Sequence, residues 1–312
     1  MGDAPAKFVI HNLGGRYADR DALSRRRAGV TEVYGATVAK RRLARRLTEL
    51  RIKNGYTANQ VCDRLNWGRG KVGRFEANIW KRPEMSDIRD LLRIYGVSEG
   101  ERLELEELAA HARERSWWRD YGDVFSDSEY PGFEADAVRI CVYMPLILPG
   151  LLQTHEYADA TLRVGSKPES WRNRALEARE RRQGILERDG DASPELVAVV
   201  TEASLMYQWG SPKDRRRQVD HLIDIGQRPC VELRLVRFAA GLHPGMSSLI
   251  SIFDFAGDEP SLVYLENDAA TQEVDAADDV DAYSAIFGRI REAALDASAT
   301  TAYLKQFAQT LE

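Results

Sequence analysis

Lysine and arginine side chains are concentrated in one stretch of the sequence, where they could bind the phosphates and base edges of a nucleic acid. Residues 38–82 contain thirteen Lys or Arg residues and three acidic residues, a net charge of +10. Residues 1–37 add +2, so residues 83–312 carry −17 for the chain to reach its total of −5. This asymmetry indicates a basic module attached to an acidic body. A solvated basic helix face would give the same composition, and charge alone leaves both interpretations open.

A second set of residues could do acid–base chemistry. Glu202, His243 and Glu266 lie at the ends of predicted strands in the acidic region. Carboxylate and imidazole groups that meet in one place can transfer protons. Residues of these types also serve as caps, turn residues and ion-pair partners. The sequence leaves both roles open for these three residues.

Other catalytic patterns are missing from the sequence. No Ser lies in a GxSxG pattern, and His155-Glu156 does not continue as HExxH. The three cysteines are too far apart for a Cys-based zinc motif or a dense disulfide scaffold. The run from Gly68 to Lys71 lacks the spacing of a phosphate-binding P-loop. We therefore expect no catalytic residues, no metal, no cofactor and no enzymatic activity.

The elements that would position the basic side chains are helices. An apolar stripe predicts a first helix over Val38–Lys53, with its arginines mostly on the solvent side. The stripe is formed by Leu43, Leu47, Leu50 and Ile52, and the arginines are Arg41, Arg42, Arg45 and Arg46. Asn54-Gly55 is a natural stop for this helix, because Gly adopts the left-handed conformation without strain.

Two shorter helices are predicted after this stop. Thr57 and Gln60 have the spacing of a capping box, which predicts that a short helix begins at Ala58 and runs to Leu65. A turn at Asn66-Trp67 would lead into a third helix over Arg69–Ala77, opened by Gly68, with Arg69, Lys71 and Arg74 facing outward. Further helices are predicted over Ser86–Ile94 and Arg102–Arg113.

The run LTELRIKNGYTANQVCDRLNWGRGKVGRFEANIWKRP resembles the helix-turn-helix domain of phage-repressor-like, XRE-type transcription regulators. The resemblance covers about Val38–Val97, and five helices when Arg102–Arg113 is included. It implies that the third helix enters the major groove of DNA. The implied base-contacting residues are Arg69, Gly70, Lys71 and Arg74.

The same resemblance implies further roles for residues around the third helix. The implied phosphate-contacting residues are Thr57, Lys81, Arg82 and Arg46. It also implies a structural ion pair between Arg51 and Glu76. Ala58 stands where the family often has a Gln that contacts phosphate, and Gly70 and Gly73 are poor helix formers. A module that has lost DNA binding and become a protein contact is therefore the alternative.

The acidic region mixes helices with short strands. Strands are predicted over Leu196–Thr201, Val231–Phe238, Leu249–Phe255 and Leu262–Leu265, and helices over Arg172–Leu186, Asp214–Ile225, Val280–Leu295 and Thr300–Leu311. In order, the segments PGLLQT, RRQ, TEASL and VYLE resemble the DUF5753 (Scr1-type, antitoxin-like) domain that follows XRE modules in many regulators. This resemblance covers about Pro145–Phe307. It implies a small DUF397-type protein as a partner.

These observations predict an α+β protein with an all-α five-helix helix-turn-helix domain followed by a mixed α/β domain. The predicted divisions are a flexible extension over residues 1–35, a DNA-binding domain over 36–115 and a DUF5753-like domain over 116–312. The predicted function is a sequence-specific transcriptional regulator that binds double-stranded DNA as a homodimer. The alternative is an antitoxin-like module that binds the small partner, with DNA binding secondary. No signal peptide or membrane span is visible, so we expect a cytoplasmic protein that joins the nucleoid when bound to DNA.

Overall fold

The computed structural model describes residues 34–80, 82–188, 190–267 and 270–311. The predicted flexible extension over residues 1–35 falls almost entirely outside these ranges. All four ranges belong to one compact unit, in which a helical part precedes a part built around a sheet. Within the described ranges, no helix is long and apolar enough to cross a membrane. The predicted α+β class, with helices first and a mixed region second, is confirmed.

Five helices make up the first part of this unit. They are α1 (Ala36–Lys53), α2 (Ala58–Arg64), α3 (Lys71–Glu76), α4 (Met85–Tyr95) and α5 (Glu99–His111). The apolar stripe of α1 is buried at Leu43, Leu47 and Leu50, as the periodicity predicts. Ile52 is 63% exposed, so its placement in the stripe was wrong. Ile52 follows Leu50 by two residues, which places it about 200° around the helix axis and away from the buried stripe.

The second part alternates helices with a six-stranded sheet. Its helices are α6 (Gly122–Phe125), α7 (Tyr130–Asp136), α8 (His155–Arg163), α9 (Glu169–Gln183), α10 (Ala203–Met206), α11 (Pro212–Ile225), α12 (Ala277–Ala293) and α13 (Ala297–Gln309). Its strands are β1 (Arg139–Met144), β2 (Glu195–Thr201), β3 (Val231–Val236), β4 (Ile250–Asp254), β5 (Leu262–Glu266) and β6 (Thr271–Val274). Short 3₁₀ turns lie between them, for example at Trp117–Tyr121.

The strands are arranged in the order β3-β2-β1-β4-β5-β6. β1, β2 and β3 are parallel, and β4, β5 and β6 continue the sheet in antiparallel pairs. Side chains alternate between the two faces, as in any strand. One face holds Ile140, Ala198 and Leu235 in a core that is continuous with that of α1–α5, and the other holds Tyr143 and Val199 beneath α12. Both faces are therefore covered by helices.

Two strands were missed in the sequence. β1 is one of the two central strands of the sheet, and its segment RICVYM begins with a buried Arg139 that interrupts the apolar pattern. β6 is a short edge strand with three exposed polar residues, so no alternation with buried side chains is visible over it. The other four strands and the four predicted helices of this region are present, with ends shifted by a few residues.

The beginning of α1 packs against α7 of the sheet-containing part. A carboxylate oxygen of Asp136 accepts a hydrogen bond from the backbone N–H of Val38 at 3.1 Å. This bond satisfies one of the N–H groups that a helix leaves free in its first turn. Gly132 of α7 lies so close to Thr37 that a side chain there would overlap it. The helical part is therefore held firmly at this end of α1.

The pH dependence of stability should reveal the buried carboxyl group of Asp136. Burial raises its pKa to about 6, even though the hydrogen bond from Val38 favours the charged form. Because the folded-state pKa exceeds the unfolded value, the stabilisation is complete below pH ~4 and is lost as pH rises through ~6. We expect Asp136→Asn to raise the free energy of unfolding by about 1–3 kcal/mol at pH 8 and to change little at pH 4. Urea denaturation at the two pH values measures this difference, and an equal effect at both would contradict the assignment.

Candidate nucleic-acid interface

The start of α2 is fixed by the predicted capping box. The Thr57 hydroxyl accepts a hydrogen bond from the Gln60 backbone N–H at 3.2 Å, and the Gln60 side chain accepts one from the Thr57 N–H at 2.8 Å. Just before it, Gly55 has a φ of +69°, the left-handed conformation predicted for the helix stop. Thr57 is exposed at this corner. The sequence therefore determines locally where α2 begins.

The third helix begins two residues later than the predicted Arg69. α3 covers Lys71–Glu76, and the preceding Gly70 has a φ of +82°, which no helical residue has. Glycine adopts this conformation without the strain that an L-residue would have. Gly70 therefore lies in the turn before α3 and is not a helix-destabilising residue inside it. Arg69 and Gly70 therefore precede α3, and the predicted helix over Arg69–Ala77 was too long at its start.

Aromatic packing holds this short helix against the rest of the domain. Phe75 lies between the rings of Trp67 and Trp80, with centroid distances of 6.2 and 5.6 Å. The Trp80 indole N–H donates a hydrogen bond to the Phe75 carbonyl at 3.1 Å. Val72 is buried beside them, as predicted. A six-residue helix has little stability of its own, so these contacts determine its orientation.

Replacing two glycines around α3 should have opposite effects on stability. Gly70→Ala should lower the free energy of unfolding by about 1–2 kcal/mol, because Ala is strained at a positive φ. Gly73 is the matched control, since it lies inside α3 and no atom would touch an added methyl group there. Gly73→Ala should raise the free energy by about 0.8–1.0 kcal/mol. Urea denaturation of the two variants measures the signs, and two changes of the same sign would refute this description of α3.

The four predicted base-contacting residues differ in their exposure and in whether their side chains already contact other residues. Arg69 and Arg74 are exposed, and neither forms an ion pair or hydrogen bond with any described residue. Gly70 is exposed between them. Lys71 is partly buried, because its ammonium group contacts Asp87 at 2.7 Å and lies 4.0 Å from the ring centre of Trp67. Two guanidinium groups thus remain available on this surface, while Lys71 is already engaged.

Arg51 and Glu76 join the end of α1 to the end of α3. Arg51 Nε donates to Glu76 Oε1 at 2.5 Å, and Arg51 Nη2 donates to Glu76 Oε2 at 3.0 Å. Arg51 Nη1 also donates to the Tyr56 carbonyl at 2.7 Å. The hydrogen bonds with Glu76 raise the pKa of Arg51. This two-pronged pair positions α3 relative to α1.

The residues predicted to contact phosphate differ in their exposure and in the ion pairs that they already form. Arg82 is exposed and has no ion pair within the described ranges, and Lys81 lies outside those ranges. Arg46 is held by two carboxylates, Glu49 at 2.6 Å and Glu101 at 2.9 Å. Binding a phosphate through Arg46 would therefore require an existing ion pair to break.

Three arginines of α1 were expected in solvent but are packed against the sheet. Arg41 and Arg45 contact Glu259 at 3.2 and 2.7 Å, and the Arg41 guanidinium also donates to the Pro260 carbonyl at 2.8 Å. Arg42 forms a short hydrogen bond with Asp258. These acidic residues belong to the turn between β4 and β5. The helical period shows that one side of α1 is polar, but it does not show that another part of the chain covers that side.

The three residues considered for acid–base chemistry have separate partners. Glu202 accepts hydrogen bonds from the Tyr303 hydroxyl at 2.6 Å and from Arg237 Nε at 3.3 Å. Burial opposes its ionisation, but these bonds together outweigh burial and lower the pKa of Glu202. His243 pairs with the Tyr143 hydroxyl at 3.0 Å, and Glu266 is exposed. No contact among the three is present, and no cluster of His, Cys, Asp or Glu in the described residues could hold a metal ion.

Comparison with protein families matches both parts of the chain. A family described as a helix-turn-helix domain matches residues 42–105, which extend from α1 to α5. A domain of unknown function, DUF5753, matches residues 128–306, more than half of the chain. No curated protein and no solved structure matches the chain. The two resemblances seen in the sequence are thereby confirmed, and the chain belongs to the DUF5753 family, with a helix-turn-helix domain ahead of the family's own domain.

Proposed function

We propose that this protein is a sequence-specific transcriptional regulator that inserts α3 into the major groove of DNA. The helix-turn-helix match supports a DNA-binding regulator in general. The observation that carries the finer proposal is the pair of exposed arginines beside and on α3, Arg69 and Arg74, which have no ion-pair partner among the described residues. An arginine can donate two hydrogen bonds to guanine O6 and N7, which distinguishes G·C from other base pairs. Gly70, between them, leaves room for close approach of the backbone.

Contacts to phosphates would add affinity without sequence preference. Arg82 supports this role best, because its guanidinium is exposed and unpaired within the described ranges. Thr57 would present the exposed first turn of α2 to the DNA backbone, and Lys81 would stand beside Arg82. Arg46 has a weaker basis, since Glu49 and Glu101 already neutralise it.

The salt dependence of DNA binding should identify Arg82 as a phosphate contact. Each phosphate contact contributes about −0.9 to the slope of log K against log salt concentration. Arg82→Ala should therefore make this slope about 0.9 less negative and weaken binding to all sequences equally. Arg93→Ala is the control, because Arg93 is also exposed but lies on α4 and pairs with Asp90. Fluorescence anisotropy at several salt concentrations measures both, and equal slopes for both variants would exclude the contact.

The sheet-containing part would serve dimerisation, signal sensing or binding of a partner, with a domain boundary near Arg115. Its acidic charge disfavours contact with DNA. A cytoplasmic location, on the nucleoid when DNA is bound, would follow from the proposed function. The same acidic charge favours a protein partner, which keeps the antitoxin-like alternative in view. In that case a small DUF397-type protein should still bind the chain after Arg69 and Arg74 are replaced.

Genome-wide mapping of bound DNA, followed by footprinting of the strongest site, tests the proposed function. We expect one enriched sequence motif with protected major-groove edges. A palindromic motif would match a two-fold dimer, since two protomers then contact two half-sites. Binding that shows no preference over random DNA at physiological salt would contradict sequence-specific regulation.

A further inference from the structure

Seven large apolar side chains are exposed in the loops that follow the parallel strands. Their exposed fractions range from 43% at Ile147 to 91% at Leu242, and the set consists of Leu146, Ile147, Met206, Tyr207, Phe238, Leu242 and Met246. We refer to this set as the carboxyl-edge ridge. Single exposed apolar residues are common on protein surfaces, but a group at one place marks an interaction surface.

The sheet brings the three loops of the ridge together. β1, β2 and β3 are adjacent and parallel, so the loops after them begin at the same edge. The Thr201 hydroxyl donates to the Pro145 carbonyl at 2.5 Å, which links the loops after β1 and β2. The Phe238 backbone N–H donates to Glu202 at 2.5 Å, which links the loops after β2 and β3. The loops that carry the ridge are therefore held side by side.

The remaining members of the ridge lie beside the end of β1. His243 contacts the Tyr143 hydroxyl at 3.0 Å. Gly245 lies so close to Ile290 of α12 that a side chain would overlap it. Leu242 and Met246 are thus carried by a loop that is packed against the body. The ridge is built into the fold rather than carried on a free loop.

Charge distinguishes this ridge from the rest of the acidic region. The loops over residues 145–149, 202–211 and 237–249 contain three acidic, basic or histidine residues, Glu202, Arg237 and His243. Glu202 is buried and paired with Arg237, so little net charge is left on the surface. Residues 83–312 as a whole carry −17. Two copies of the acidic body would repel each other through most surfaces, but not through this one.

We propose that the carboxyl-edge ridge binds the ridge of a second copy of this chain. A two-fold contact places each surface against itself, which suits an apolar and nearly uncharged patch. If a large apolar residue exposes roughly 200 Å² when fully accessible, the seven residues expose roughly 800 Å². A standard interface buries about 800 Å² per partner. The inference rests on the proposed dimeric regulator and specifies where its protomers meet.

The position of the ridge is compatible with DNA binding by both protomers. α1 contacts the turn between β4 and β5, which lies at the end of the sheet where β1 begins. The ridge lies at the opposite end, where β1 ends. Association through the ridge would therefore leave α3 of each protomer uncovered.

Sedimentation velocity of the full chain, compared between charged variants, tests this interface. We expect the wild-type chain to dimerise in the micromolar range, and Phe238→Asp with Leu242→Asp to raise the dissociation constant at least about 100-fold, because four carboxylates would be buried in the contact. Val164→Asp is the matched control, since Val164 is 88% exposed and lies at the end of α8, outside the ridge. It should leave the dimer unchanged.

Measurements of DNA binding by the ridge variant distinguish failure of this inference from failure of the proposed function. The ridge variant should bind a single half-site as the wild type does, since Arg69 and Arg74 are intact. Hydrogen exchange in residues 237–247 of the wild type should slow as concentration rises, a readout that requires no substitution. A chain that is monomeric at all concentrations, or a ridge variant that still dimerises, would overturn the inference. A ridge dimer that binds no DNA would refute only the proposed regulator.

Discussion

Glu259→Ala is expected to lower the free energy of unfolding of the chain by about 3–5 kcal/mol. The Glu259 side chain is fully buried between α1 and the turn from β4 to β5. It is the shared counter-charge of Arg41 and Arg45, and Arg42 lies 4.0 Å away. Burial already lowers the pKa of Arg41, whereas Glu259 raises that of Arg45 against the effect of burial. Without the carboxylate, the three arginines would keep only the more exposed carboxylates of Asp275, Asp258 and Glu49 as ion-pair partners among the described residues.

Two further variants show whether the loss of a buried charge causes the destabilisation expected for Glu259→Ala. Asp258→Ala removes the neighbouring carboxylate, which is 72% exposed, and should cost less than about 1 kcal/mol. In a double-mutant cycle, Arg45→Ala and Glu259→Ala should be coupled by about 1 kcal/mol or more, because each removes the partner of the other. Guanidinium denaturation gives all of these values. A Glu259→Ala variant within about 0.5 kcal/mol of the wild type would show that the contact does not hold α1 to the sheet.

The sequence predicts local features of this protein well, because they depend on residues close together in the chain. Thr57 and Gln60 determine the start of α2, and Gly55 determines the end of α1. The apolar period of α1 predicts which side of the helix is buried. It cannot predict that Arg41 and Arg45 contact Glu259, more than 200 residues away, since nothing in the spacing of a polar face indicates what covers it.

The candidate site could be predicted only in part, because some of its features depend on how distant parts of the chain pack together. The family resemblance implies the pair of Arg51 and Glu76, whose side chains are in contact. It implies base contacts at Arg69 and Arg74, which are both exposed. The left-handed turn at Gly70 was missed, because glycine in a sequence is compatible with a helix, a cap or a turn. The engagement of Lys71 by Asp87 was missed as well, since it depends on how α4 packs beside α3.

The double substitution Arg69→Ala with Arg74→Ala should abolish most of the preference for the mapped DNA site. Each arginine that bonds a guanine with two hydrogen bonds contributes about 1–3 kcal/mol of discrimination. The two together should cost about 2–6 kcal/mol, at tenfold in affinity per 1.4 kcal/mol. Binding to random DNA should fall much less, since it depends on charge contacts that are spread over the domain. A gel-shift assay at fixed salt, with the mapped site and a scrambled site, measures the two effects separately.

The matched control keeps the positive charges and removes the planar guanidinium groups. In Arg69→Lys with Arg74→Lys, the positive charges stay but the planar fork that pairs with guanine is lost. If these residues read bases, the lysine variant should bind random DNA as the wild type does and still lose most of its preference for the mapped site. If they contact only phosphates, the lysine variant should keep that preference. Because both arginines are exposed and unpaired within the described ranges, neither variant should change the free energy of unfolding by more than about 0.5 kcal/mol. A mapped site bound equally by all three proteins would show that α3 does not read DNA.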